Sequence, residues 1–245
     1  MPDSLGTPPA RSSAPSIDSR SVLALLVLLS FIAGCTDVIS FLGLDGLFTA
    51  HITGNLVILA AHVVVHDPAT IAPMLSVPVF IIVIILTRVL AGRLKSMGVA
   101  ILRPLLLLQF ILIAGFLALC IAAGPRIDPN ATNAIIAGML GVAAMAVQNA
   151  LVQFSLKGAP STAAMTSNVT RFAMDISELW TGENPAAVAE ARRNVFRILP
   201  VIIGFAAGCA IGAVAEASFG MRSLALSAGL ALCAYALAFA AHDQR

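Results

Sequence analysis

From residue 21 to residue 241 the chain is a succession of apolar runs separated by short polar breaks, and this constrains its fold more than any motif. Segments 21–43, 71–91, 104–123, 132–154, 198–215 and 224–241 each hold close to the ~20 apolar residues that a helix needs to cross a bilayer. With 59% hydrophobic and 11% charged residues, the chain carries far more apolar surface than one water-soluble core can bury. Backbone in contact with lipid must satisfy its own hydrogen bonds, so the expected class is all-α and polytopic. Net charge is only +2 and no basic cluster is built for nucleic acid. Cys35, Cys120, Cys209 and Cys233 all lie in apolar runs, with no disulfide framework and no metal-type spacing. Ile32-Ala33-Gly34-Cys35 has the look of a lipoprotein cleavage box, but the apolar run continues past Cys35 and further spans follow.

Two stretches break the pattern. Segment 47–66 carries His51-Ile52-Thr53-Gly54-Asn55, and segment 161–180 carries Thr166-Ser167-Asn168. Each follows a span with a polar residue in its later half: Asp37 in the first, Gln148 and Asn149 in the second. At an offset of 113, Thr49/Thr162, Ala50/Ala163, Thr53/Thr166, Asn55/Asn168 and Ala60/Ala173 coincide. One extra residue sets Asp37 opposite Asn149. The chain therefore reads as a cytoplasmic tail (1–20) and two membrane repeats (21–123 and 124–245). Each repeat runs span, interrupted segment, span, span.

Positive charge decides whether the interrupted segments cross, because Lys and Arg accumulate on the cytoplasmic side. If all eight segments cross, Arg88, Arg93, Lys95, Arg103, Lys157 and Arg222 fall outside. If the two interrupted segments dip in and return, only Arg126 and Arg222 do. The second arrangement is expected: six transmembrane helices, two broken or re-entrant segments, and both termini in the cytoplasm. Three spans per half is an odd number, so the halves form two inverted 3+3 repeats. Transporters recurrently use this plan, with broken segments meeting at the midplane.

The residues carrying the pattern, Asp37 with Phe48-Thr49-Ala50-His51-Ile52-Thr53-Gly54-Asn55, then Asn149 with Thr166-Ser167-Asn168-Val169-Thr170, resemble the YoaK family of bacterial integral membrane proteins. The resemblance covers nearly all the chain after the tail. It implies a multi-span protein of the bacterial inner membrane and supplies no substrate. Where the family would repeat Thr-Gly-Asn in the second block, this chain has Ser167.

The expected site is thus Asp37, His51, Thr53, Gly54, Asn55, Gln148, Asn149, Thr166, Ser167 and Asn168. A carboxylate inside a span is costly and normally faces a partner or a polar cavity, which suits Asp37 to proton coupling. The hydroxyls and amides could hold a small polar solute, or could only tie helices together. Gly54 would let the backbone turn or approach a ligand. His51 is either a proton relay or an interfacial residue. His62, His66 and Asp67 read as a water interface more than as a metal site. Arg171 and Asp175 are spaced for an i,i+4 pair. Asn184-Pro185 starts a helix, expected as a surface helix over 186–197 feeding the span at 198–215. Gly204, Gly208 and Gly212 form a small-residue stripe for close packing, either within the chain or in a homodimer.

The expected function is a secondary transporter or permease for a small polar solute, with or without proton coupling. Its partners are lipid and that unidentified solute, with no cofactor. With no HExxH, GxSxG or Walker word, enzyme chemistry and direct ATP drive are not expected. The alternative is a non-catalytic membrane scaffold or accessory subunit; a membrane-embedded enzyme ranks below both.

Overall fold

The computed structural model describes residues 19–65, 71–124, 127–156 and 158–243, and among these every regular element is a helix. The expectations placed on the N-terminal tail before residue 19, and on His66, Asp67, Arg126 and Lys157, lie outside the described residues. The order is α1 (Ser19–Gly43), α2 (Ile52–Val65), α3 (Ile71–Ser96), α4 (Leu102–Ala123), α5 (Thr132–Ser155), α6 (Met165–Thr181), α7 (Pro185–Phe219), a 3-10 turn (Gly220–Ser223) and α8 (Leu224–Asp243).

Five helical stretches are long and apolar enough to cross a membrane: α1 from Arg20, α3, α4, α5, and Pro185–Ala238, which folds at the 3-10 turn into α7 and α8. The chain is a multi-pass membrane protein. Its apolar residues are turned outward as well as inward. Ile81, Ile82, Ile85 and Leu86 on α3, and Val214 and Phe219 on α7, are about half exposed or more. That arrangement is stable only where the solvent is lipid.

The centre is built by α1 and α5, the most enclosed of these helices. Leu29, Ile32, Ala33, Cys35 and Ile39 of α1 are fully buried, as are Val142, Ala144, Met145 and Leu151 of α5. α7 packs along α1 and α3 packs along α5; α4 packs on α5 and α8, and α8 also touches α1.

The α1–α7 contact explains the glycine stripe. A Cβ on Gly204 would meet the Val27 carbonyl oxygen at 2.9 Å and one on Gly212 that of Cys35 at 3.0 Å, while one on Gly208 would collide with that of Phe31. Gly34 presses back on the Phe205 carbonyl from α1. These contacts advance together along both helices, so α1 and α7 run in the same direction with their backbones touching. The homodimer through Gly204, Gly208 and Gly212 is therefore corrected: all three are buried inside the chain, against α1.

α7 brings a second correction. The surface helix and the span expected after it form one continuous 35-residue helix, about 52 Å long, and Pro200 does not divide it. Its start is as read: Asn184 Oδ1 accepts from the Ala186 amide at 2.9 Å, with Pro185 at the first helical position.

Both interrupted segments become helical only partway along. After α1 the chain reverses at Asp45 and Gly46, both with positive φ, and returns as a non-helical linker before α2 begins at Ile52. After α5 the reversal uses Gly158, again with positive φ, and α6 begins at Met165.

Replacing Gly208 by alanine should force α1 and α7 apart and cost about 1–3 kcal/mol, because the clash is with backbone that no rotamer can relieve. Gly92 of α3 has open space where its Cβ would be. Gly92→Ala should therefore keep or raise the melting temperature in detergent while Gly208→Ala lowers it.

Candidate functional site

The local problem that shapes the site is the bare backbone of the first linker. Thr49 and Ala50 are buried, and no helix satisfies their amides. Asp37, two turns back from the end of α1, does so. Its Oδ1 accepts from the Thr49 and Ala50 amides, both at 2.7 Å, and from Thr49 Oγ1 at 3.2 Å. Its Oδ2 lies 2.6 Å from His51 Nδ1. The carboxylate is almost fully buried and the imidazole half-exposed. One side chain thereby holds three consecutive linker residues at the depth of Asp37.

Asn55 closes the same linker from the other side. Its Oδ1 accepts from the Phe48 amide at 2.9 Å, and its Nδ2 donates to the Phe48 carbonyl at 2.7 Å and to Ser76 Oγ of α3 at 2.8 Å. In the second half, Asn168 Nδ2 donates to the Ser161 carbonyl at 2.6 Å. Both asparagines reach back seven residues to the same place in their linkers. Asn55 and Asn168 are buried pins and line neither of the two cavities described below.

The second linker has no carboxylate. Gln148 takes the pinning role: its Nε2 donates to Thr162 Oγ1 at 2.9 Å and to the Leu29 carbonyl of α1 at 3.0 Å, while its Oε1 accepts from Gln109 Nε2 at 2.7 Å. Thr162 stands where Thr49 stands in the first half. Gln148, not Asn149, is thus the counterpart of Asp37 by what it holds. Asn149 bonds its own helix, at the Met145 carbonyl, and faces a cavity.

That cavity, about 1080 Å³, lies where the two linkers meet the starts of α2 and α6. Of the expected site residues, it gathers His51, Thr53, Asn149, Thr166 and Ser167. Gln153 adds a polar group and Phe80 and Ile84 an apolar wall. From there it extends along α6 and the start of α7, past Arg171, Asp175, Glu178, Glu190 and Asn194. Sequence reading passed over most of this wall. The signal was present in α6: Thr166, Ser167, Thr170, Arg171, Met174, Asp175 and Glu178 recur at helical spacing along one stripe. Arg171 and Asp175 line the cavity without pairing; Asp175 Oδ1 accepts instead from Asn194 Nδ2 at 3.4 Å.

A second chamber, about 600 Å³, lies behind His51 between α1, α2 and α7, and shares His51 and Thr53 with the first. Asp37, Phe41, Phe48, Gly54, Phe205 and Cys209 complete most of it. Its rings touch in series: Phe41 to Phe48 at 4.6 Å between centroids, Phe48 to His51 at 5.9 Å, and His51 to Phe205 at 5.4 Å.

Gly54 borders the second chamber but is not at a chain turn, one of the two roles expected of it. It lies in the first turn of α2, and a Cβ there would meet the Phe48 ring at 2.9 Å. The counterpart of Phe48 is Ser161, which leaves room for Ser167 where the first half needs glycine.

Gly54→Ser alone should destabilise the protein by about 1–3 kcal/mol. Combined with Phe48→Ala, the added cost of the serine should largely vanish, giving a coupling energy above about 0.5 kcal/mol in a double-mutant cycle of thermal unfolding. Simple additivity would show that the ring does not set the requirement for glycine.

The model of one protein family, "Protein of unknown function (DUF1275)", matches residues 25–237, which include both linkers, both cavities and every helix core described above. No curated protein and no solved structure matches the chain. By that match over most of its length, the chain belongs to the DUF1275 family.

Proposed function

We propose that this protein is a secondary transporter for a small polar solute, proton-coupled through Asp37, and not an enzyme. The observation that carries the reading is that two interrupted segments, far apart in sequence, begin their helices on the wall of one cavity. Non-helical backbone inside a membrane persists where protein or water shields it, and transporters place substrate sites at such breaks.

In this reading, residues 21–123 and 124–245 are inverted repeats of three spans each, with α2 and α6 as re-entrant half-helices. The packing supports it. Exchange α1–α4 for α5–α8, and α1 with α7 becomes α5 with α3, α2 with α3 becomes α6 with α7, α4 with α5 becomes α8 with α1, and α4 with α8 is unchanged. Each of these is a packed pair. The direction agrees too: Arg88 lies over the Phe154 ring, near the ends of α3 and α5, so those helices run in the same direction, as α1 and α7 do. The likeness to the YoaK proteins belongs to the same reading.

Charge supplies the orientation. The end of α3 carries Arg93 and Lys95, α4 begins with Arg103, and the start of α7 carries Arg192, Arg193 and Arg197. Arg103 Nε donates to the Ala238 carbonyl and Arg197 reaches the Gly158 carbonyl, so these helix ends share one face. That face is cytoplasmic by the positive-inside rule, in a bacterial inner membrane with both termini inside. The larger cavity then opens to the cytoplasm, and the aromatic chamber lies toward the outside.

Two measurements test this. With the native cysteines replaced, Ser218→Cys should react with a membrane-impermeant thiol reagent on intact cells. Met97→Cys and Thr170→Cys should react only in inside-out vesicles; labelling of Thr170→Cys from outside would overturn the orientation of the cavity. In proteoliposomes loaded with a pH-sensitive dye, a panel of amines, amino acids and sugars should include a class that moves protons. Asp37→Asn should abolish that movement. Proton movement unchanged by Asp37→Asn removes the coupling role, and a panel that moves none removes the transport reading.

A further inference from the structure

We propose that the chamber behind His51 binds an organic cation, and that the cation and the proton on His51 compete for the carboxylate of Asp37. This rests on the transport reading above and narrows its solute to a class.

The chemistry of the wall is the argument. Three phenylalanines, Phe41, Phe48 and Phe205, border one chamber of about 600 Å³, and a single carboxylate, Asp37, stands among them. Aromatic faces with a carboxylate form a cage for an alkylated ammonium, which is attracted by ring quadrupoles and is weakly hydrated. The titratable groups around the chamber are Asp37 and Cys35 on α1, His51 on the linker and Cys209 on α7; α2 contributes only Thr53, Gly54 and Val57. His51 is therefore the one protein group there that can carry positive charge opposite Asp37.

The carboxylate divides its work between its two oxygens. Oδ1 is committed to the Thr49 and Ala50 amides, while Oδ2 meets only His51. A ligand can thus take over Oδ2 without releasing the linker. When it does, the His51 proton passes to water in the cytoplasmic cavity, on whose wall the imidazole also stands. One cation entering the chamber against one proton leaving is the exchange step of an antiporter.

The approach fits the same charge. Asp175, Glu178 and Glu190 border the wider cavity against one guanidinium, Arg171. The helix starts of α2 and α6, which favour anions in general, are already supplied. Asp37 takes the amides before α2, and Ser161 Oγ accepts from the Ala163 and Ala164 amides before α6, at 3.3 and 2.9 Å.

The test is direct binding of choline, tetraethylammonium and methylguanidinium to the full-length protein in nanodiscs, with benzoate as the anionic control. At least one cation should bind saturably, at least about tenfold tighter near pH 8 than near pH 5.5, because the imidazolium competes at low pH. Asp37→Asn should weaken binding at least about tenfold. Phe205→Leu, which keeps an apolar side chain, should weaken it about fivefold. His51→Gln should retain binding and lose its pH dependence, which separates the competition from a simple folding defect. Binding of none of the three cations, binding indifferent to Asp37→Asn and Phe205→Leu, or binding of benzoate in their place overturns the proposal. The two readings fail separately. Proton movement driven by a sugar, with no cation bound, leaves a transporter and removes the cation. Saturable cation binding with no proton movement leaves the site and removes the transporter.

Discussion

Everything near the middle of this protein depends on one carboxylate accepting from two backbone amides. The Thr49 and Ala50 amides are buried, and an unpaired buried amide costs about 1–3 kcal/mol in a protein, with more expected against lipid. Asp37 removes that cost from within α1. The consequence is positional: the linker can lie two turns inside the end of α1, and α2 begins at that level. His51 is carried to the same depth because it is the next residue. Its place beside Asp37 and between two phenylalanine rings follows from chain connectivity as much as from its own chemistry.

The second linker reaches the same shape by neutral chemistry. Gln148, Gln109 and Thr162 form a buried amide and hydroxyl chain, and Ser161 takes the two amides before α6. The two halves thus solve one geometric problem with different charge. The aromatic chamber lies beside the carboxylate; the larger polar cavity is bordered by residues of both linkers. Phe48 against Ser161, and Gly54 against Ser167, are the residue-level form of that asymmetry.

Around this centre, the close contact of α1 with α7 supplies rigidity. Glycines at Gly204, Gly208 and Gly212 let carbonyl oxygens of α1 approach the α7 backbone, a geometry in which dispersion and weak Cα–H contacts replace the missing hydrophobic drive. α6 plays the opposite part. Its polar stripe is too charged for lipid and its other face too apolar for water, so it is stable where one side meets α7 and the polar stripe lines the larger cavity.

Read alone, the sequence determined the class of the fold. Apolar runs of membrane-spanning length in so apolar a chain leave only helices, because lipid offers backbone no partner. It also determined where the pattern breaks, because polar words such as His51-Ile52-Thr53-Gly54-Asn55 are rare in spans and visible without a partner. The matched pair Asn55/Asn168 showed too, and both side chains meet linker backbone seven residues before them. Tertiary structure alone decided which polar residue does what. Asn55 and Asn168 turn inward to pin linkers while Thr53 and Thr166 face a cavity, and nothing in their local sequence separates those fates. It decided that Gln148 and not Asn149 stands in for Asp37, since a helix turns about 100° between neighbours and only one of them can point at the linker. It decided that the glycine stripe faces α1. It also brought Phe205 and His51, more than 150 residues apart in the chain, onto one wall, because contacts between distant segments are set by how helices pack and leave no periodic mark in the chain.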